Sequence, residues 1–136
     1  MTVHERARQT FDSFEYHRAC GMTLEEARPN YARVSLVPGP MTKGGVGGSI
    51  HGGVLASLVD VVMLQAIVAT LEPADVAAGT ADLNLTFLRP ALGERIVAEA
   101  RVIKKGRQLV VTEVDITDAE GRLCARGRTL YALRQS

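Results

Sequence analysis

A single aspartate interrupts the most apolar stretch of this chain. Residues 51–71 read HGGVLASLVDVVMLQAIVATL. Val54, Leu55, Leu58, Val59, Val61, Val62, Leu64, Ile67 and Val68 fall on every side of a helix at about 100° per residue. Asp60 sits in the middle of them. An ionised carboxylate is costly to bury without partners. Either its face of the helix meets solvent or a hydrogen-bond donor, or the carboxylate is desolvated for use as a base or nucleophile. The helix begins on a second anomaly, His51-Gly52-Gly53. Each glycine there costs roughly 1 kcal/mol in helix propensity. Either the loop-to-helix joint needs flexibility, or another group approaches the backbone closely. Free N–H groups at a helix start, at the positive end of the dipole, are suited to polarise a carbonyl or hold an oxyanion. Ser49 is placed to cap this helix.

Asp60 lies nine residues after His51. On one helix that is ~13.5 Å of rise and about half a turn of rotation, so the two face opposite sides. They cannot pair directly within one chain. If both serve one site, Asp60 comes from a second subunit, and the sequence predicts a symmetric dimer with shared sites.

The elements that must position these residues follow from periodicity. Residues 3–19 carry a weak helical pattern marked by Phe11, Phe14 and Arg18, with Gly21 as a stop. Met22–Ala27 and Tyr31–Val37 predict a β-hairpin across Pro29-Asn30. Residues 39–49 (GPMTKGGVGGS) form a glycine-rich loop. Lys43 precedes its glycines, and no GxGxxG follows a strand, so a nucleotide-phosphate loop is not supported. The apolar helix ends at Pro73. After it the period becomes two, over Thr80–Leu88, Arg95–Ile103, Gln108–Thr117 and Arg122–Leu133. In the first of these, Thr80, Asp82, Asn84 and Thr86 are expected on one face, with Ala81, Leu83, Leu85 and Phe87 on the other. Turn-like separators make successive strands antiparallel neighbours. The predicted class is α+β, a curved antiparallel sheet wrapped around one long central helix, with an N-terminal helix. At 136 residues this is one domain, 1–136.

Composition excludes several functions. The net charge is +1, which argues against an electrostatic footprint for nucleic acid. Tryptophan is absent and aromatics make up 4%, so stacking platforms for single strands are missing. A membrane span is disfavoured, because a central Asp costs roughly 2.5–3.5 kcal/mol on insertion. Cys20 and Cys124 have no metal spacing and no CxxC, and read as reduced core thiols. The first residues carry charges without an apolar h-region, so a cytoplasmic protein is expected.

HGG, Asp60 nine residues on, TADLNLTFLRPA and the run GERIVAEARVIKKGRQLVVTEVDITDAEGRLCARGRTLY together resemble the hotdog-fold thioesterases, in particular the PaaI-like acyl-CoA thioesterases. The resemblance covers residues 40–133. It implies a hotdog dimer, commonly paired into a homotetramer, that hydrolyses acyl-CoA with no metal and no cofactor, coenzyme A being part of the substrate. Gly52 then matches the glycine whose N–H polarises the thioester carbonyl, and His51 the histidine beside it. Asp60 matches the catalytic carboxylate on the partner's helix, and Thr80 a hydroxyl that positions the attacking water. Gly53, Gly45 and Ser49 fall in the substrate-binding loop. Many relatives carry Asn or Gln where this chain has Gly45, which predicts a gain in turnover from Gly45→Asn unless Ser49 takes over the role. Arg89, Lys104, Lys105 and Arg107 lie at strand ends, where family members meet CoA phosphates and where solvated turns are equally common. Arg126 and Arg128 read as surface residues. A hotdog hydratase or dehydratase using His51 with Asp60, and a non-catalytic acyl-CoA-binding module, are the alternatives.

Overall fold

The computed structural model describes residues 2–135. Two short helices, α1 (Val3–Asp12) and α2 (Glu15–Ala19), lead into the hairpin β1 (Met22–Arg28) and β2 (Tyr31–Leu36). The glycine-rich loop follows, and then the long helix α3 (Gly52–Thr70). Four strands complete the chain: β3 (Asp75–Phe87), β4 (Ile96–Lys105), β5 (Leu109–Thr117) and β6 (Leu123–Gln135). All six strands form one antiparallel sheet in the order β1-β2-β4-β5-β6-β3. This is the hotdog architecture, with α3 as the filling.

One face of α3 is pressed into the sheet. Leu55, Leu58, Val59, Val62, Met63, Ala66 and Ile67 are buried. They meet Val34, Leu36, Ile96, Ala98, Val114 and Ile116, which are fully enclosed in the same core. Burying each such aliphatic side chain contributes about 1.5–3 kcal/mol. The other face is uncovered: Val61 and Leu64 are half-buried and Val68 is 57% exposed. In a single chain, therefore, the apolar girdle of α3 is only half used. Gly127 of β6 fixes the close approach of helix to sheet. A Cβ there would stand 2.9 Å from the Asn84 carbonyl, 3.2 Å from Leu85 Cδ1 and 3.5 Å from Val59 Cγ1.

The N-terminal segment is not the single helix expected over 3–19. Thr2 and Glu5 form a reciprocal cap at its start. At the other end Phe14 is extended, at φ −83° and ψ 119°, which breaks the ladder. Phe11 is buried but Phe14 is 56% exposed, so the two do not share a buried stripe. Instead the His17 ring stacks on Phe11 at 4.0 Å between centroids. The Pro29-Asn30 turn forms as predicted, with Asn30 at φ +71°.

Candidate active site

The loop before α3 is built around the imidazole of His51. His51 is the N-cap of the helix, and its Nδ1 accepts the Gly53 N–H at 2.9 Å. That bond fixes the tautomer with the proton on Nε2. Two glycines make room for the ring. A Cβ on Gly44 would lie 3.2 Å from Cδ2, and one on Gly53 would lie 3.1 Å from Nδ1. The Val54 and Leu55 N–H groups both donate to the His51 carbonyl, at 2.9 and 3.1 Å. Three of the four N–H groups of the first turn are therefore committed. Among the described residues no acceptor meets the fourth, that of Gly52. The cap that His51 supplies, where Ser49 was expected, leaves one free donor at the positive end of a 19-residue helix.

Gly52 lines a cleft of about 360 Å³. Val46, Ile50, Leu55, Phe87, Leu88 and Pro90 give it apolar walls, and Gly45, Ser49, Gly52 and Arg89 also line it. Phe87 stands over the helix start, with ring atoms 3.5 Å from where a Gly52 Cβ would be. The sequence reading missed Phe87 as a site residue, although it sits within the FLRP turn. Gly45 has an ordinary φ of −87°, so its backbone does not demand glycine. Space does: a Cβ would collide with Ser49 Oγ and stand 2.7 Å from the Ile50 carbonyl. The gain expected from Gly45→Asn meets a steric obstacle, since its side chain has to displace Ser49.

Asp60 lies half-buried on α3, eight residues beyond Gly52, and its Oδ1 accepts the Thr80 hydroxyl at 2.8 Å. Thr80 can reach it because of a bulge. Thr80 pairs with Tyr131 and Asp82 with Leu130, so Ala81 is the extra residue. The bulge shifts the alternation by one. Thr80 joins Leu83 and Leu85 on the helix side, while Asp82, Asn84 and Thr86 face outward with Arg126 and Arg128. The expectation that Thr80 shares a face with Asp82 fails for this reason. Directly opposite Thr80 is the buried Tyr131, 6% exposed, whose phenol is pushed up by burial and then by the charge of Asp60. Sequence reasoning missed Tyr131 too. The signal was its odd-numbered place in β6, where Ala125, Gly127, Thr129, Tyr131 and Leu133 are all buried.

The four basic candidates do not converge within one chain. Arg89 follows β3 at the Gly52 end. Lys104, Lys105 and Arg107 lie at the β4–β5 turn, beside the start of β3. Lys105 is paired with Asp75 at 2.9 Å, which ties β4 to β3. The Glu72 N–H, Lys105 and Gln135 together hold the Asp75 carboxyl down at about 2. Arg126 and Arg128 are exposed and paired with Asp115 and Glu113 at 2.7 and 3.5 Å. Cys20 and Cys124 are buried free thiols, and burial pushes the Cys124 thiol up. Among the described residues no three His, Cys, Asp or Glu side chains converge as a metal site.

Known proteins share this fold and family. The family model of the thioesterase superfamily matches residues 47–125, which include the α3 start, Asp60 and Thr80. Acyl-coenzyme A thioesterase 13 of Homo sapiens is 43% identical over 83 residues, 60% of this chain and 58% of that protein. The chain thus matches less than two thirds of that relative's length. The medium/long-chain acyl-CoA thioesterase YigI of Escherichia coli (strain K12) is 30% identical over 148 residues, covering 96% of each. The crystal structure of zebra fish thioesterase superfamily member 2 superposes with a TM-score of 0.80 at 31% identity, covering 98% of this chain and 96% of that one. With the sheet-wrapped helix, the free N–H at its start and the aspartate two turns on, these matches make the chain a member of the hotdog thioesterase superfamily.

Proposed function

We propose that this protein is an acyl-CoA thioester hydrolase. The observation that carries the reading is the single uncommitted N–H of Gly52, a residue that lines an apolar cleft at the positive end of α3. A thioester carbonyl lying against it gains a donor where negative charge develops in the transition state. Asp60 supplies the second half. Its Oδ1 is engaged by Thr80, which leaves Oδ2 free. As general base, Oδ2 takes a proton from water while the water oxygen bonds the thioester carbon. The tetrahedral oxyanion forms on Gly52, the C–S bond breaks, and the CoA sulfur leaves with a proton. As nucleophile, Oδ2 bonds that carbon itself, the C–S bond breaks with CoA leaving as the thiolate, and water opens the resulting anhydride, releasing the acid and returning the Asp60 carboxylate.

Gly52 and Asp60 of one chain are about 12 Å apart along the helix, too far to hold one carbonyl. The site is therefore completed by the Asp60 of a second subunit. Two features support a dimer. β3 is a 13-residue edge strand with one unpaired side, and the Val61, Leu64 and Val68 face of α3 lacks a cover. Pairing the β3 edges antiparallel brings one protomer's Asp75 end toward its partner's Phe87 end. It also moves the partner's Lys104 and Arg107, beside the Lys105 held by Asp75, toward the cleft that holds Arg89, where CoA phosphates are to be met. The family resemblance extends the proposal to a dimer of dimers, and the two unpaired thiols fit a cytoplasmic setting.

The hydratase alternative has less support, because His51 Nδ1 is already committed to the Gly53 N–H. The test is thiol release from a panel of acyl-CoAs by wild type and Asp60→Asn. Loss of a general base costs about 10²–10⁴-fold. A loss below tenfold, or no thiol release by wild type, contradicts the proposal.

A further inference from the structure

We propose that the Ser49 hydroxyl is a second oxyanion donor, completing with the Gly52 N–H the pocket for the thioester carbonyl oxygen; this rests on the hydrolase reading above. Ser49 is 4% exposed. Among the described residues its hydroxyl has no hydrogen-bond partner, whereas its carbonyl accepts both the Gly44 and Gly45 N–H groups, at 3.2 and 3.0 Å. The backbone of Ser49 is pinned while its side chain is left unsatisfied. A hydroxyl that has no protein partner yet keeps an accessible oxygen has a donor to offer a ligand.

Among the described residues, the fully enclosed unpaired hydroxyls are those of Thr112 and Thr129, on β5 and β6. Ser49 is not among them, so its hydroxyl keeps access to the cleft it lines together with Gly52. Gly45 is the counterpart of this arrangement. Its φ is ordinary, yet a Cβ on it would occupy the place of Ser49 Oγ. A side chain at 45 and the Ser49 hydroxyl in its present place exclude each other. The chain therefore presents a hydroxyl from position 49 in the space that a side chain at position 45 would need.

Two donors of different kinds then converge on one cleft, a backbone N–H at the helix start and an O–H from the preceding loop. In the ground state the hydroxyl is free to rotate. As charge moves from the carbonyl carbon–oxygen bond onto the oxygen, the O–H turns to it. No proton is transferred in this role, and the hydroxyl is returned unchanged when the C–S bond breaks.

The experiment compares wild type, Ser49→Ala and Ser49→Thr on the best acyl-CoA substrate, with thermal melting to check the fold. It adds calorimetric binding of two inert analogues, a CoA trifluoromethyl ketone, whose hydrate mimics the tetrahedral intermediate, and a CoA thioether that lacks the carbonyl. Ser49→Ala is expected to lower kcat by about 10²-fold with KM little changed. It should weaken the ketone and leave the thioether unaffected. Ser49→Thr should recover most of kcat. A Ser49→Ala enzyme within threefold of wild type overturns the inference alone, as does equal weakening of both analogues, which marks a structural role. A wild type that releases no thiol from any acyl-CoA overturns the functional reading and this inference with it.

Discussion

Replacing Gly52 by proline deletes one N–H and sets the ring Cδ in its place, while leaving the helix start intact. Gly52 is the first residue of α3, the helix position where proline is best tolerated, because that N–H has no intrahelical partner and proline's fixed φ suits the helix. The residue before it meets proline's other demand. His51 has φ −57° and ψ 134°, in the extended region that a following proline requires. The Val54, Leu55 and Gly53 donors to His51 are untouched. A Cβ at position 52 stands 3.5 Å from Phe87, an ordinary contact. Stability should hold or rise by about 0.4–1 kcal/mol from the stiffer unfolded chain. Activity should not hold. Removal of one oxyanion donor costs about 10²–10³ in kcat, or about 2.7–4 kcal/mol. Gly52→Ala is the control, since it adds the same Cβ and keeps the N–H. The assay is steady-state thiol release by both variants, with melting temperatures taken alongside. Equal kcat for proline and alanine refutes the reasoning, because only proline lacks the donor and fills its place with Cδ.

Thr80→Val should lower kcat about two- to twelvefold, the worth of one net hydrogen bond of ~0.5–1.5 kcal/mol, while Thr80→Ser retains most of it; steady-state kinetics decide. Gly127→Ala should destabilise by about 1–3 kcal/mol in urea unfolding, since its Cβ presses on the Asn84 carbonyl and Leu85 and pushes α3 outward. Asp75 gives a pH dependence with a definite sign. Its folded value of about 2 lies below the ordinary carboxylate range, so its contribution is full above the unfolded value of about 3.9 and is lost as pH falls toward 2. Acid unfolding of Asp75→Asn should accordingly be flatter than that of wild type across that window.

The legible part of the site was the part that local chemistry writes. An aspartate within an apolar helix and two glycines at its start are anomalies of composition, and the structure gives each a setting: Asp60 accepts the Thr80 hydroxyl, and Gly53 makes room for the His51 ring. The sheet was legible from its alternation, and the Pro29-Asn30 turn from its residues. What escaped depends on geometry that no residue type encodes. The bulge at Ala81 involves neither glycine nor proline, yet it decides which face Thr80 occupies. The start of β3 was placed at Thr80, whereas it runs from Asp75 through a second irregularity at Ala77–Gly79, where Gly79 has φ +124°. Tyr131 reads as one more core residue until its register opposite Thr80 is known. Gly45 reads as a flexible loop residue until the space around it is seen to hold Ser49. Lys105 reads as a free base until the sheet sets it beside Asp75.

The shared site is the claim on which the mechanism depends, and subunit mixing tests it directly. Asp60→Asn and Gly52→Pro homodimers each lack one half of every site. A mixed dimer has one site with both defects and one site with neither, because each site draws Gly52 from one chain and Asp60 from the other. Co-refolding the two inactive variants at equal amounts should restore about a quarter of wild-type kcat per chain, since random pairing makes about half of the dimers mixed. A mixture that stays as inactive as its parents, with mixed dimers shown to form by mass spectrometry, would place both groups in one chain's own site and contradict the account.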